Sequence, residues 1–73
     1  MMSYVDDLVS IMIPCYNGAD FLPRLVETLI YQTYAKVEIV FINDGSTDST
    51  KTVWMNLKDG LEEKGYLVQY VEQ

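Results

Sequence analysis

The fold class predicted by this sequence is α/β: a Rossmann-like, doubly wound parallel sheet of three layers, built in the order β-α-β-α-β. Three observations predict it. Three short apolar runs are rich in strand-forming residues. Two amphipathic segments of helical period lie between them. The connections are too long for hairpins, which implies parallel strands joined by right-handed crossovers.

Leu8 to Pro14 (LVSIMIP) is broken only by Ser10, is too short for a typical helix, and is stopped by Pro14; it reads as a buried strand. Cys15 to Asp20 form a polar loop in which Asn17-Gly18 is the strongest turn dipeptide. From Phe21 to Thr33 the residues Leu22, Leu25, Val26, Leu29 and Ile30 recur at i, i+3, i+4, i+7 and i+8, one buried helical stripe. Pro23 suits its first turn, where a missing N–H costs nothing, and Asp20 is a candidate N-cap. Lys36 to Ile42 (KVEIVFI) is a second strand, ended by Asn43-Asp44-Gly45-Ser46. Thr47-Asp48-Ser49-Thr50 offer caps for a second helix whose stripe is Val53, Leu57 and Leu61, with Trp54 alongside, and which should end at Lys64-Gly65. Tyr66 to Val71 (YLVQYV) reads as the third strand. All residues belong to one unit, with about residues 1–7 expected as a loose N-terminus.

Composition narrows the function. A chain of 73 residues buries only about 60% of its unfolded surface, enough for one small core. Lone Cys15 and the absence of histidine exclude an internal disulfide, a Cys/His zinc site and a Ser-His-Asp triad. Apolar residues make up 49% and charged residues 22%, as in ordered globular chains. The net charge of -6 argues against broad binding to nucleic acid or an anionic membrane. No apolar run approaches the roughly 18 residues of a membrane span and the start lacks the basic segment of a signal peptide, so the cytosol is the expected compartment.

In open parallel sheets ligands bind beyond the carboxyl ends of the strands. Two segments fall there: Pro14-Cys15-Tyr16-Asn17, and Asn43-Asp44-Gly45-Ser46-Thr47-Asp48. The second puts a carboxylate on a strand end, before a glycine that permits a sharp turn and hydroxyls that lead into a helix. A carboxylate accepts hydrogen bonds only, so it suits a ligand presenting a donor, such as a uracil ring N–H or a ribose hydroxyl, and repels phosphate. Local composition alone favours a blander alternative, a capped turn. Tyr16 has a similar alternative, a rim aromatic with its hydroxyl in water, and Cys15 reads as a small buried apolar residue, since no histidine is present to activate it. Neither G-x-G-x-x-G nor G-x-x-x-x-G-K-[ST] occurs.

Together, Val9 to Asn17 (VSIMIPCYN), Leu29 to Tyr34 (LIYQTY) and Val37 to Thr50 (VEIVFINDGSTDST) resemble the N-terminal portion of a family 2 glycosyltransferase of GT-A fold. The resemblance runs from about Leu8 to Gln73. It implies that these residues are the N-terminal part of a single catalytic domain that transfers a sugar from a nucleotide-sugar donor, commonly UDP-linked, to an acceptor hydroxyl. By the same resemblance Pro14 and Tyr16 line the base, Asn17 supports the loop, Asp44 accepts the uracil N–H, and Gly45 and Ser46 shape the turn. Many family members have two consecutive acids where this chain has Asn43-Asp44, so the ligand-facing role aligns with Asp44 and Asn43 becomes a structural partner. The family's Asp-x-Asp motif, which holds Mg²⁺ or Mn²⁺, and its catalytic base do not map onto these residues. The chain alone is therefore expected to be inactive, and the full-length protein could sit at the inner membrane face. An alternative expectation is a non-catalytic fragment that self-associates, as a homo-oligomer, through an exposed edge of the first strand, Leu8 to Pro14.

Overall fold

The structure, a computed structural model, describes the backbone of residues 2–5 and all of residues 8–73. Its elements are β1 (Met2–Val5), β2 (Leu8–Cys15), α1 (Leu22–Tyr31), β3 (Val37–Asn43), α2 (Thr50–Glu63) and β4 (Leu67–Glu72). One sheet carries the strands in the order β1-β2-β3-β4. β2, β3 and β4 are parallel, with Val9 opposite Val37 and Cys15 opposite Asn43, then Glu38 opposite Leu67 and Asn43 opposite Glu72.

The expected β-α-β-α-β order and parallel sheet are present. The described part of the expected loose N-terminus differs: Met2–Val5 form a strand antiparallel to β2, pairing with Leu8 to Ile11; residues 1, 6 and 7 lie outside the described residues. The edge of the Leu8–Pro14 run is thus paired over Leu8 to Ile11, and the expectation of a wholly exposed edge there is corrected. Layering also differs from the three layers expected. Strand order advances one way only, so two right-handed crossovers bring both helices to the same face, and the described residues form two layers.

Strict alternation makes that face. In β3 Val37, Ile39, Phe41 and Asn43 are buried, while Glu38, Val40 and Ile42 are half-buried on the other side. Val9, Ile13 and Cys15 of β2 are buried on the same face, and Ile13 and Cys15 join one core with Leu22, Val26 and Leu29 of α1 and Trp54 and Leu61 of α2. Phe41 stacks on Trp54, with ring centroids 4.1 Å apart, and lies 6.0 Å from the Tyr70 ring. The other face carries a polar crosspiece: Ser10 Oγ donates to Glu38 Oε1 at 2.9 Å and Gln69 Nε2 to Glu38 Oε2 at 2.9 Å.

The helix ends show where capping was and was not legible. Pro23 sits at the start of α1 as expected, but the N-cap is Phe21 and Asp20 makes no cap bond. α2 stops where expected: Gly65, at φ +99°, lets Tyr66 N–H donate to Leu61 C=O (3.2 Å) and Gly65 N–H to Glu62 C=O (2.9 Å), a Schellman motif whose apolar pair is Tyr66 and Leu61.

Candidate nucleotide site at the sheet rim

β2 and β3 end together. Cys15 and Asn43 are their last paired residues, and Asp44 N–H donates to Cys15 C=O at 2.9 Å, carrying the ladder one residue further. The two segments singled out from the sequence therefore meet on one rim, with Tyr16 and Asp44 each one residue beyond the last pair. All six expected site residues lie there: Pro14, Tyr16, Asn17, Asp44 and Gly45 are exposed, and Ser46 is half-buried. Tyr16 is 62% exposed. Among the described residues neither its hydroxyl nor the Asp44 carboxylate has a hydrogen-bond partner or an ion pair.

Asn17 stitches the loops together. It adopts φ +50°, a left-handed conformation that Asn tolerates better than most residues. Its Oδ1 accepts from Thr47 N–H at 2.8 Å and Asp48 N–H at 3.3 Å, its Nδ2 donates to Thr47 Oγ1 at 3.3 Å, and its backbone N–H donates to Ser46 Oγ at 3.0 Å. Gly18 follows, buried, with its N–H donating to Thr50 Oγ1 at 2.9 Å. A Cβ on Gly18 would fall 2.4 Å from Cys15 Sγ and 2.3 Å from Phe21 Cε1, so only glycine lets the loop pass this close. Gly45 turns the second loop at φ +67°.

Asp48 closes the arrangement from the start of α2. Its Oδ1 accepts from Thr50 N–H at 2.9 Å and from Thr50 Oγ1, and its Oδ2 from Ala19 N–H at 3.3 Å. These bonds, the one from the Thr50 hydroxyl foremost, hold its carboxyl below the usual aspartate range. Asn43 is buried and occupied at both ends, Oδ1 accepting from Ser46 N–H at 3.2 Å and Nδ2 donating to Tyr70 Oη at 3.0 Å. Cys15 is also buried, and burial pushes its thiol up, so it is a core group.

Chemically the rim offers an anionic acceptor beside an aromatic plane, on loops that fix one another. That suits recognition of a planar ligand with an N–H or O–H to give. Among the described residues no group of three or more His, Cys, Asp or Glu could hold a metal ion. A divalent-metal site of the kind the family resemblance implies does not fit these side chains.

The bridges from Ser46, Thr47, Asp48 and Thr50 across to the first loop are not legible in the sequence, where Ser46 reads as a turn residue and Thr47, Asp48 and Thr50 as caps. Tyr70 falls within the expected third strand, Tyr66 to Val71, with no further role, and Glu72 lies just beyond it. A signal was present for Tyr70: alternation puts it on the covered face with Val68, and a tyrosine ending such a face needs a partner for its hydroxyl.

Comparison with known proteins adds independent findings. A family profile described as glycosyl transferase family 2 matches residues 10–73. The chain is 44% identical over 52 residues to an uncharacterized glycosyltransferase of Rickettsia typhi, covering 71% of this chain and 16% of that protein. It is 35% identical over 69 residues to glycosyltransferase GlyA of Streptococcus pneumoniae, covering 94% of this chain and 9% of that one. It is 48% identical over 46 residues to the chondroitin synthase of Pasteurella multocida, covering 63% of this chain and 5% of that one. The chain thus spans less than a fifth of the length of each. No solved structure matches it. No helix among the described residues is long and apolar enough to cross a membrane.

Proposed function

This chain belongs to glycosyl transferase family 2, and we propose that its sheet rim holds the base and ribose of a nucleotide-sugar donor, UDP-linked in the first instance, as the N-terminal part of one catalytic domain. The observation that carries this reading is the exposed, unpartnered Asp44 carboxylate one residue past the sheet ladder, beside Tyr16. Free carboxylates are common on surfaces. This one is held on a turn whose backbone is tied to the neighbouring loop, so a ligand bond to it costs little ordering. The uracil N3–H is a donor and fits such an acceptor, whereas the cytosine N3 is itself an acceptor and does not. Tyr16 and Pro14 supply flat apolar surface to cover the base, and Asn17, Gly45 and Ser46 fix the loops that carry it. Transfer of the sugar to an acceptor hydroxyl, and Mg²⁺ or Mn²⁺ at the diphosphate, are assigned to other residues of the complete enzyme.

The test is titration of UDP and CDP into the protein and its Asp44→Ala variant. UDP should bind more tightly than CDP, and the substitution should cost about 1–3 kcal/mol of UDP affinity, the size of one hydrogen bond to a buried donor. Folding stability should change by no more than about 0.5 kcal/mol, as for an exposed side chain without partners. Equal UDP affinities for the two proteins would remove Asp44 from the base pocket.

A further inference from the structure

We propose that Asn43, Tyr70 and Glu72 form a polar relay that sets the Asp44 turn, and that Tyr70 and Glu72 are positioning residues of the nucleotide site; this rests on the nucleotide reading above. The relay runs from the buried end of β3 to the exposed end of β4. Ser46 N–H can only donate, so the Asn43 atom it meets at 3.2 Å is Oδ1, and this fixes the amide with Nδ2 toward Tyr70. Asn43 Nδ2 donates to Tyr70 Oη at 3.0 Å, Tyr70 Oη donates to Glu72 Oε1 at 2.7 Å, and Lys51 Nζ lies 3.3 Å from the same Glu72 oxygen. The Tyr70 ring lies against Phe41, which stacks on Trp54, so the hydroxyl is placed by the core. Gln73 N–H donates to Asn43 C=O at 2.9 Å, closing the strand ends around Asp44.

The direction of the bonds requires an amide at position 43. The tyrosine has one proton and gives it to Glu72, so the group on its other side must donate. A carboxylate at 43 would compete with Glu72 for that proton and leave one oxygen facing another without hydrogen between them. An amide at 72 would reverse the chain, with Tyr70 donating to position 43 and accepting from position 72. The amide of Asn43 thus matches the acid of Glu72, and the turn that presents Asp44 inherits its geometry from that match.

The experiment is a double-mutant cycle of UDP affinity and thermal midpoint in the full chain, with Asn43→Asp, Glu72→Gln and the two combined. Asn43→Asp should weaken UDP about tenfold, which corresponds to about 1.4 kcal/mol, and lower the midpoint. Glu72→Gln alone should change affinity less than about threefold, because its amide oxygen still accepts from Tyr70. The double variant should recover to within about threefold of the parent. A double variant as weak as Asn43→Asp, or a midpoint rescued while UDP affinity never moved, would overturn the relay. If Asn43→Asp does not fold, Tyr70→Phe reads the same chain and should weaken UDP about three- to fivefold; unchanged affinity there overturns the inference equally. UDP binding that depends on Asp44 but ignores these substitutions refutes the relay and leaves the nucleotide reading standing. Absence of UDP binding to the parent refutes that reading, and the positioning role falls with it.

Discussion

The two ends of the sheet use polar side chains in opposite ways. At the amino end of the strands, Lys64 Nζ donates to Ile30 and Gln32 carbonyls, Tyr66 Oη donates to Leu29 C=O at 2.8 Å, and Gln32 Nε2 contacts Tyr66 Oη. These groups satisfy the orphaned carbonyls that end α1. At the carboxyl end, the Asn17, Asp48 and Thr50 side chains also bind backbone, but their effect is to hold two loops side by side. Asp44 and Tyr16 are left over, exposed on a rigid rim. One end closes a helix, and the other leaves an acceptor and an aromatic ring exposed, the groups that the proposed function assigns to a ligand.

The sharpest way to break this contrast is to loosen the rim while leaving its exposed groups in place. Thr50→Val keeps shape but removes the acceptor for the buried Gly18 N–H and the donor to Asp48, and should destabilise folding by about 1–3 kcal/mol in denaturant unfolding. UDP affinity should fall with it, because the first loop loses its tie; unchanged affinity would mean that the rim is not set by this stitching. The matching change at the other end is Tyr66→Phe, which removes the hydroxyl from Leu29 C=O and should cost about 1 kcal/mol with UDP affinity unaltered. A loss of nucleotide affinity there would erase the distinction between the two ends.

The smallest effect is one of pH. The Asp48 carboxyl is held below its ordinary 3.8, chiefly by the Thr50 hydroxyl. A group with a lowered folded-state value contributes stability that is fully present above the unfolded value and is lost as pH falls through the folded one. Glu72, lowered from 4.5 by Tyr70 first and then Lys51, follows the same sign. Asp48→Asn should therefore flatten the loss of stability below about pH 4, where the parent weakens. An acid limb identical in the two proteins would show that Asp48 does not couple the loops.

Much of this fold was legible in the sequence because its signals are local. The i, i+3, i+4 stripe of α1, the β-branched run of β3 and the Gly65 stop of α2 each depend on a few neighbouring residues. The two rim segments, 14–17 and 43–48, were legible as strand ends, where parallel sheets bind ligands, and the choice of six residues within them came from the family resemblance. Asp20 is not the cap because a turn just before it already takes the first N–H groups: the Gly18 carbonyl accepts from Phe21 and Leu22 N–H at 3.1 and 3.2 Å, and the helix starts without a side-chain cap. The third layer failed because strand order, which no local pattern encodes, decides which face each crossover covers.

By itself the sequence determined the parallel β-α-β-α-β order, the buried stripes and the placing of Pro14 to Asn17 and Asp44 to Ser46 at strand ends, since period and turn chemistry act within a few residues. Only the tertiary structure decided that both helices share one face, that Met2–Val5 pair with β2, that Asn17 binds the far loop and that Asn43 is spoken for by Ser46 and Tyr70. Apart from the local Asn43–Ser46 bond, those outcomes join residues more than 25 positions apart or set one strand against another. A hydrogen-bonding side chain names what it could bind, and the packed fold chooses which partner comes within reach.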